Sequence, residues 1–198
     1  MFAEHQPQLS KLGRSGPEGF KRIVTFTLCT IRVQLHAAVK DYLLVRRGDR
    51  KVRSIFGSKH SGLDALDEHA GDYYEQCERA YYDYEGEELE DELLHAITAI
   101  PGIGAAKGGF IAQMIYGVSG CLDGHNLRRF GIPEGTYRLA GRPPTKRSAL
   151  ISDYNRVCRN VGGTQWLWDT WCQYLADRDA NYTSAKAVSK LHLTPLLA

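Results

Sequence analysis

No apolar run in the chain approaches the ~20 residues of a membrane-spanning helix, and the opening "MFAEHQPQLSKLGRSG" has no apolar core of the signal-peptide kind. The chain therefore reads as a soluble intracellular protein. Period-two alternation of apolar and polar residues is missing, which argues against strands, and no internal repeat is visible. Five cysteines (Cys29, Cys77, Cys121, Cys158, Cys172) are an odd number, widely spaced and without a C-x-x-C. That spacing argues against a disulfide framework, a zinc site or an iron–sulfur cluster, and reduced, mostly buried thiols are expected. With no metal or cofactor motif, any chemistry must come from side chains and backbone dipoles.

What is present is a segregation of charge. The formal net charge is only +2, but residues 64–92 carry thirteen acidic groups and one basic group, Arg79, while the rest of the chain is strongly basic. A protein that approaches a polyanion with one face and turns another away has this distribution. Two solvated helix faces of opposite sign would have it too.

Hydrophobic residues make up 43% of 198 residues, enough for one large domain or two small lobes. Residues 1–16 are polar and hold Gly, Ser and Pro, as a loose arm would, leaving 17–198 as a single helical domain. From Phe20 to Val39 apolar residues recur at three or four positions, with Ser15 as a candidate cap and Pro17 at the first turn, which predicts one long helix. The following "RRGDRKVRSIFGSKHSG" gathers Arg46, Arg47, Arg50, Lys51, Arg53 and Lys59 around Ile55 and Phe56. Such a loop suits phosphate binding and base probing; equally, Ile55 and Phe56 could only anchor a solvated loop. Residues 63–86, 87–100, 146–163 and 164–180 read as further helices, with a short one in the tail. Thr164 is a candidate cap, and Trp166, Trp168 and Trp171 read as core.

The centre of the chain is "AITAIPGIGAAKGGFIAQMIYGVSGCLDGHNLRRFGIP". Pro101 and Gly102 end one helix and Gly104 opens the next, whose first amides have no internal acceptor. The amides around Gly102, Gly104, Ala105, Ala106 and Lys107, with the positive end of the helix dipole, would grip a phosphate without reading sequence. An ordinary helix–helix corner with two glycines is the plainer alternative. This pattern (93–117) resembles the helix-hairpin-helix motif. Twenty-two residues after Pro101 comes Asp123, in an Asp-x-His-x-x-Arg string with His125 and Arg128 (segment 121–131). Motif, order and spacing resemble the helix-hairpin-helix superfamily of base-excision DNA glycosylases, over residues 93–131.

That resemblance implies an all-α, two-lobed fold with the hairpin on one rim of a cleft and the basic loop on the DNA side. It further implies a monomer acting on double-stranded DNA, in the cytoplasm or wherever DNA is held, with no cofactor. Asp123 matches the family's catalytic aspartate, which stabilises positive charge on the sugar as the bond to a flipped base breaks. His125 and Arg128 are expected mainly to secure the segment, with His125 and Lys107 as auxiliary candidates. Family members that also cleave the strand carry a lysine two residues after the second hairpin glycine; here Ala106 is there, and Lys107 is turned about 100° further round the helix. A monofunctional glycosylase is therefore expected. Gly124 and Asn126 also depart from the family's threonine and apolar residue, and should loosen the helix start. Three alternatives remain: a phage-type enzyme of the same fold that modifies thymine-derived bases by group transfer, a hairpin module that binds DNA without catalysis, and a plain α-helical protein with no nucleic-acid role.

Overall fold

The structure is a computed structural model describing residues 1–178 and 182–197, without the side chain of residue 193. Among the described residues it is all-helical, with ten helices and no strand. They are α1 (Phe2–Gly13), α2 (Pro17–Thr30), α3 (Leu35–Val45), α4 (Ser58–Asp83), α5 (Gly86–Thr98), α6 (Ala105–Tyr116), α7 (Gly124–Arg129), α8 (Pro144–Asn160), α9 (Gly163–Arg178) and α10 (Ala185–Leu197). No helix among them is long and apolar enough to cross a membrane.

Two of the expected elements are corrected. Residues 1–16 are not a loose arm: Phe2, His5 and Leu9 form a buried stripe of α1, and the Phe2 ring lies 5.6 Å from that of Trp168. The polar residues between them hide a helical period. The helix predicted across residues 20–39 is broken at 31–34, where Ile31 is extended and Arg32 takes φ +57°. Local competition explains the break. Thr27 Oγ1 donates back to the Ile23 carbonyl and Thr30 Oγ1 to the Thr27 carbonyl, while Lys59 Nζ, 2.6 Å away, takes the Ile31 carbonyl.

Pro17 and Pro144 stand in the first turns of α2 and α8, where a missing N–H costs nothing, and Glu87 and Glu88 face the positive end of α5. Ser15 does not cap α2, its hydroxyl bonding the Leu12 carbonyl, and Thr164 bonds the Ser119 carbonyl. α4 runs on through a kink at His69.

The helix after the glycine turn, α6, is the central element, buried along Gly108–Tyr116 against α1, α2 and α5. Close approach is written into its glycines. A Cβ on Gly109 would sit 2.2 Å from the Gly120 carbonyl oxygen and 2.8 Å from the Tyr154 hydroxyl. Two hydrophobic clusters result. The larger joins α1–α6 with α9 and α10; the smaller joins Leu94, Leu122, Leu127, Tyr137, Ile151 and Tyr154. All five cysteines are free and buried.

The charge segregation is partly neutralised inside the molecule. Arg14 pairs with Glu78, Lys21 and Arg50 with Asp67, and Arg159 with Glu87 and Glu90.

Candidate functional site

The turn between α5 and α6 is set by Gly102, at φ +83°, where a Cβ would also meet the Ser58 carbonyl oxygen at 2.8 Å. The N-terminus of α4, which the basic loop leads into, is thus packed on the hairpin turn. The amides of Lys107 and Gly108 bond the Gly104 carbonyl, so those of Gly104, Ala105 and Ala106 have no helical acceptor.

Asp123 is the N-cap of the six-residue α7. Its Oδ1 accepts from the His125 and Asn126 amides, each at 3.0 Å, and its Oδ2 accepts from Trp171 Nε1 at 3.2 Å. The approach to it is rigid. Tyr154 accepts the Leu122 amide at 2.9 Å and donates to the Gly120 carbonyl at 2.6 Å, and Ser119 donates to Asn155. Gly124 and Asn126 do not loosen this helix start. Buried Asn126 donates to the Cys121 carbonyl at 2.8 Å, and a Cβ at Gly124 would find only ordinary contacts at 3.5 Å or more.

Two adjoining cavities border Asp123. One, of about 340 Å³, is walled by the hairpin residues Gly102, Gly104, Ala105, Ala106 and Lys107 together with Leu122, Leu127, Tyr137 and Arg138. The other, of about 640 Å³, is walled by the break at 31–34 and its flanking residues Thr30 and Leu35, by Phe110, Trp171 and Leu175, and by His125, Arg128 and His192. Ile31, Ala106, Lys107, Asp123 and Gly124 line both, so the carboxylate and the start of α6 face the same space. The one-residue offset of Lys107 therefore does not carry it out of the site; its Nζ lies 5.3 Å from the centre of the Phe110 ring.

His192, fully buried, closes the inner wall. Its Nδ1 lies 3.0 Å from the Val188 carbonyl, its Nε2 has no partner, and burial pushes its pKa down to about 3. With Nδ1 carrying the proton, Nε2 is a lone acceptor amid the rings of Phe26, Phe110, Trp168 and Trp171.

Comparison of the chain with protein-family models, with curated proteins and with solved structures gave no match. Geometry alone therefore bears on the site.

The predicted residues divide accordingly. Asp123, the hairpin residues, Lys107, His125 and Arg128 come together. His125 Nδ1 lies 2.8 Å from Arg128 Nη2 and 2.9 Å from the Tyr174 hydroxyl, and Arg128 is ion-paired to Glu134. Arg128 is thus occupied in holding the segment. The basic loop is not one surface. Lys59 is 2% exposed, bonded to the Ile31 and Ser54 carbonyls, and burial lowers its pKa to about 8, which corrects its expected place at a phosphate. Arg46 and Arg50 face a separate cavity, and Arg50 is paired to Asp67. Arg47, Lys51 and Arg53 remain exposed, with Phe56, 43% exposed, beside the hairpin-facing start of α4.

Sequence reasoning missed Trp171, expected in the core, as well as Phe110, the 31–34 break and His192. Only the odd cluster of three tryptophans hinted at any of them.

Proposed function

We propose that the chain is a DNA-binding base-excision enzyme: a monofunctional DNA glycosylase of the helix-hairpin-helix kind, hydrolysing the N-glycosidic bond of a damaged or modified base flipped from a duplex. In this reading the two hydrophobic clusters are the cores of two lobes and the cavities between them are the cleft. One observation supports it above the others. A carboxylate that still has a lone pair free on Oδ2 borders the same space as the unbonded amides of a helix N-terminus, beside an aromatic wall.

Each part then has a task. The Gly104–Ala106 amides and Lys107 hold a backbone phosphate, fixing the register of the duplex without reading it. Removing a base from the stack costs a few kcal/mol, least for a damaged or mismatched one, and stacking on Phe110 and Trp171 offsets part of that cost. As the bond to the base stretches, positive charge grows on the sugar. The fixed negative charge of Asp123 stabilises it, and a free lone pair of the carboxylate orients the attacking water. Trp171 and the two α7 amides hold the carboxylate in place throughout.

The test is incubation with duplexes carrying uracil, 3-methyladenine, 8-oxoguanine, mismatches or hydroxymethyluracil, followed by alkali. The expected result is strand breaks that require alkali and vanish in Asp123→Asn. Breaks without alkali, with borohydride trapping through Lys107, would refute the monofunctional assignment. Salt-sensitive binding with no base released from any duplex would leave Asp123 as a helix cap in a binding module. A mass change in the base of phosphorylated hydroxymethyluracil DNA supplied with an amine would indicate group transfer.

A further inference from the structure

A cavity of about 400 Å³ lies apart from Asp123 and shares no lining residue with the two beside it. Its charged lining consists of Glu18, Lys21 and Arg22 from one face of α2, Arg46 at the end of α3, Arg50, and Asp67 of α4. Four cations thus face two carboxylates, and Asp67 is already engaged, with Lys21 Nζ at 2.9 Å on one oxygen and Arg50 Nη2 on the other. The surplus is positive.

The decisive feature is a set of buried polar atoms whose hydrogen-bonding capacity is not filled, although the Arg22 guanidinium and the Tyr42 hydroxyl lie beside each other. Arg22 Nε, Arg50 Nη1 and the Tyr42 hydroxyl, each from a residue lining this cavity, are shielded from solvent without a well-formed hydrogen bond. The guanidinium groups are not free to turn away: Arg22 is tied by Nη2 to the Leu196 carbonyl and Arg50 by Nη2 to Asp67. Each keeps an edge in reserve. Arginine stays charged at any working pH, so a buried guanidinium N–H without an acceptor is rare and calls for an anion or water. Planar guanidinium donors match the oxygens of a phosphate group, and a phenol adds one neutral bond.

We propose that this cavity binds the phosphate group of a small phosphorylated molecule, with Arg22, Arg50 and Tyr42 donating to the phosphate oxygens and exposed Arg46 supplying charge at the mouth. A volume of about 400 Å³ exceeds what a bare phosphate needs and lies in the range of small-molecule sites, so the ligand carries an organic body. The terminal phosphate of a DNA strand offers the same chemistry from a second source.

Calorimetric titration of the full chain tests this, using inorganic phosphate, thymidine 5′-monophosphate, thymidine, and a duplex with and without a 5′-phosphate. Saturable binding of the phosphate-bearing probes is expected, with none for thymidine. Tyr42→Phe should weaken it about fivefold and Arg46→Gln by a similar factor. Arg22→Gln should cost about tenfold or more, but its bond to Leu196 makes its folding uncertain, so the first two variants decide. A duplex bound more tightly with its 5′-phosphate than without it, the gain being lost in Tyr42→Phe and Arg46→Gln, would assign the strand end as the source; no such gain, with the mononucleotide bound, assigns the small molecule. No saturable heat up to about 10 mM, or binding unchanged in both Tyr42→Phe and Arg46→Gln, would overturn the proposal.

Discussion

Replacing Asp123 by asparagine and by alanine separates what this carboxylate does for the fold from what it does in the proposed base release. In the native protein Oδ1 accepts two α7 amides at 3.0 Å and Oδ2 accepts the Trp171 indole N–H at 3.2 Å. Alanine removes all three bonds. Loss of an N-cap costs about 1 kcal/mol, and stranding the partly buried indole N–H about 1 kcal/mol more. For a chain of this size a loss near 2 kcal/mol lowers Tm by about 4–8 °C. Asparagine caps as well as aspartate, so Oδ1 keeps its two amides. Its Nδ2, however, must face Trp171 Nε1, donor against donor, at a cost of about 1 kcal/mol. In base release the two variants should be alike: both lack the charge, and a loss of about 10²-fold or more is expected, the scale seen when a single electrostatic contact to developing charge is removed. Urea denaturation and alkali-revealed strand breakage on one set of samples give both numbers. Undiminished base release in Asp123→Asn would refute the catalytic reasoning, and an alanine variant as stable as the native chain would refute the capping geometry.

Trp171→Phe keeps the ring in the cavity wall but frees Oδ2; under the proposed glycosylase reading, kcat for base release should fall about tenfold with KM nearly unchanged, as steady-state kinetics would show. Gly124→Ala should stabilise by about 0.5–1 kcal/mol, because space exists and the unfolded chain loses freedom, whereas Gly109→Ala should destabilise by about 3 kcal/mol against the Gly120 carbonyl; denaturant midpoints distinguish the two. His192 has its pKa depressed from 6.5 to about 3 by burial, so the unfolded chain binds the extra proton in that window. Its contribution is fully present above pH 6.5 and is lost as pH falls toward 3, by up to ~1.4 kcal/mol per unit; His192→Phe should flatten the stability curve between pH 6 and 4. Arg47→Gln with Arg53→Gln should weaken duplex binding and reduce its salt slope by about 2, read from affinities at several salt concentrations.

Local physics makes part of this protein legible in its sequence. The 3.6-residue spacing of apolar positions and the absence of alternation determined an all-helical chain, and Pro101 and Gly102 determined where α5 ends and α6 begins, since proline lacks a donor and glycine alone tolerates the turn's φ. Asp123 at the start of a helix was readable from the residue type and its neighbours. Tertiary structure decided the rest, because the deciding partners lie far away in sequence. Lys59 looks like a surface cation until the Ile31 and Ser54 carbonyls surround it, 28 and 5 residues away. Trp171 looks like core until its N–H is seen on Asp123, 48 residues earlier. The N-terminal stripe of Phe2, His5 and Leu9 gains meaning only when Trp168 and α6 pack against α1. Periodicity reports the face a helix buries; which polar groups end up sharing a dry space depends on how those faces are stacked, and no local pattern encodes that.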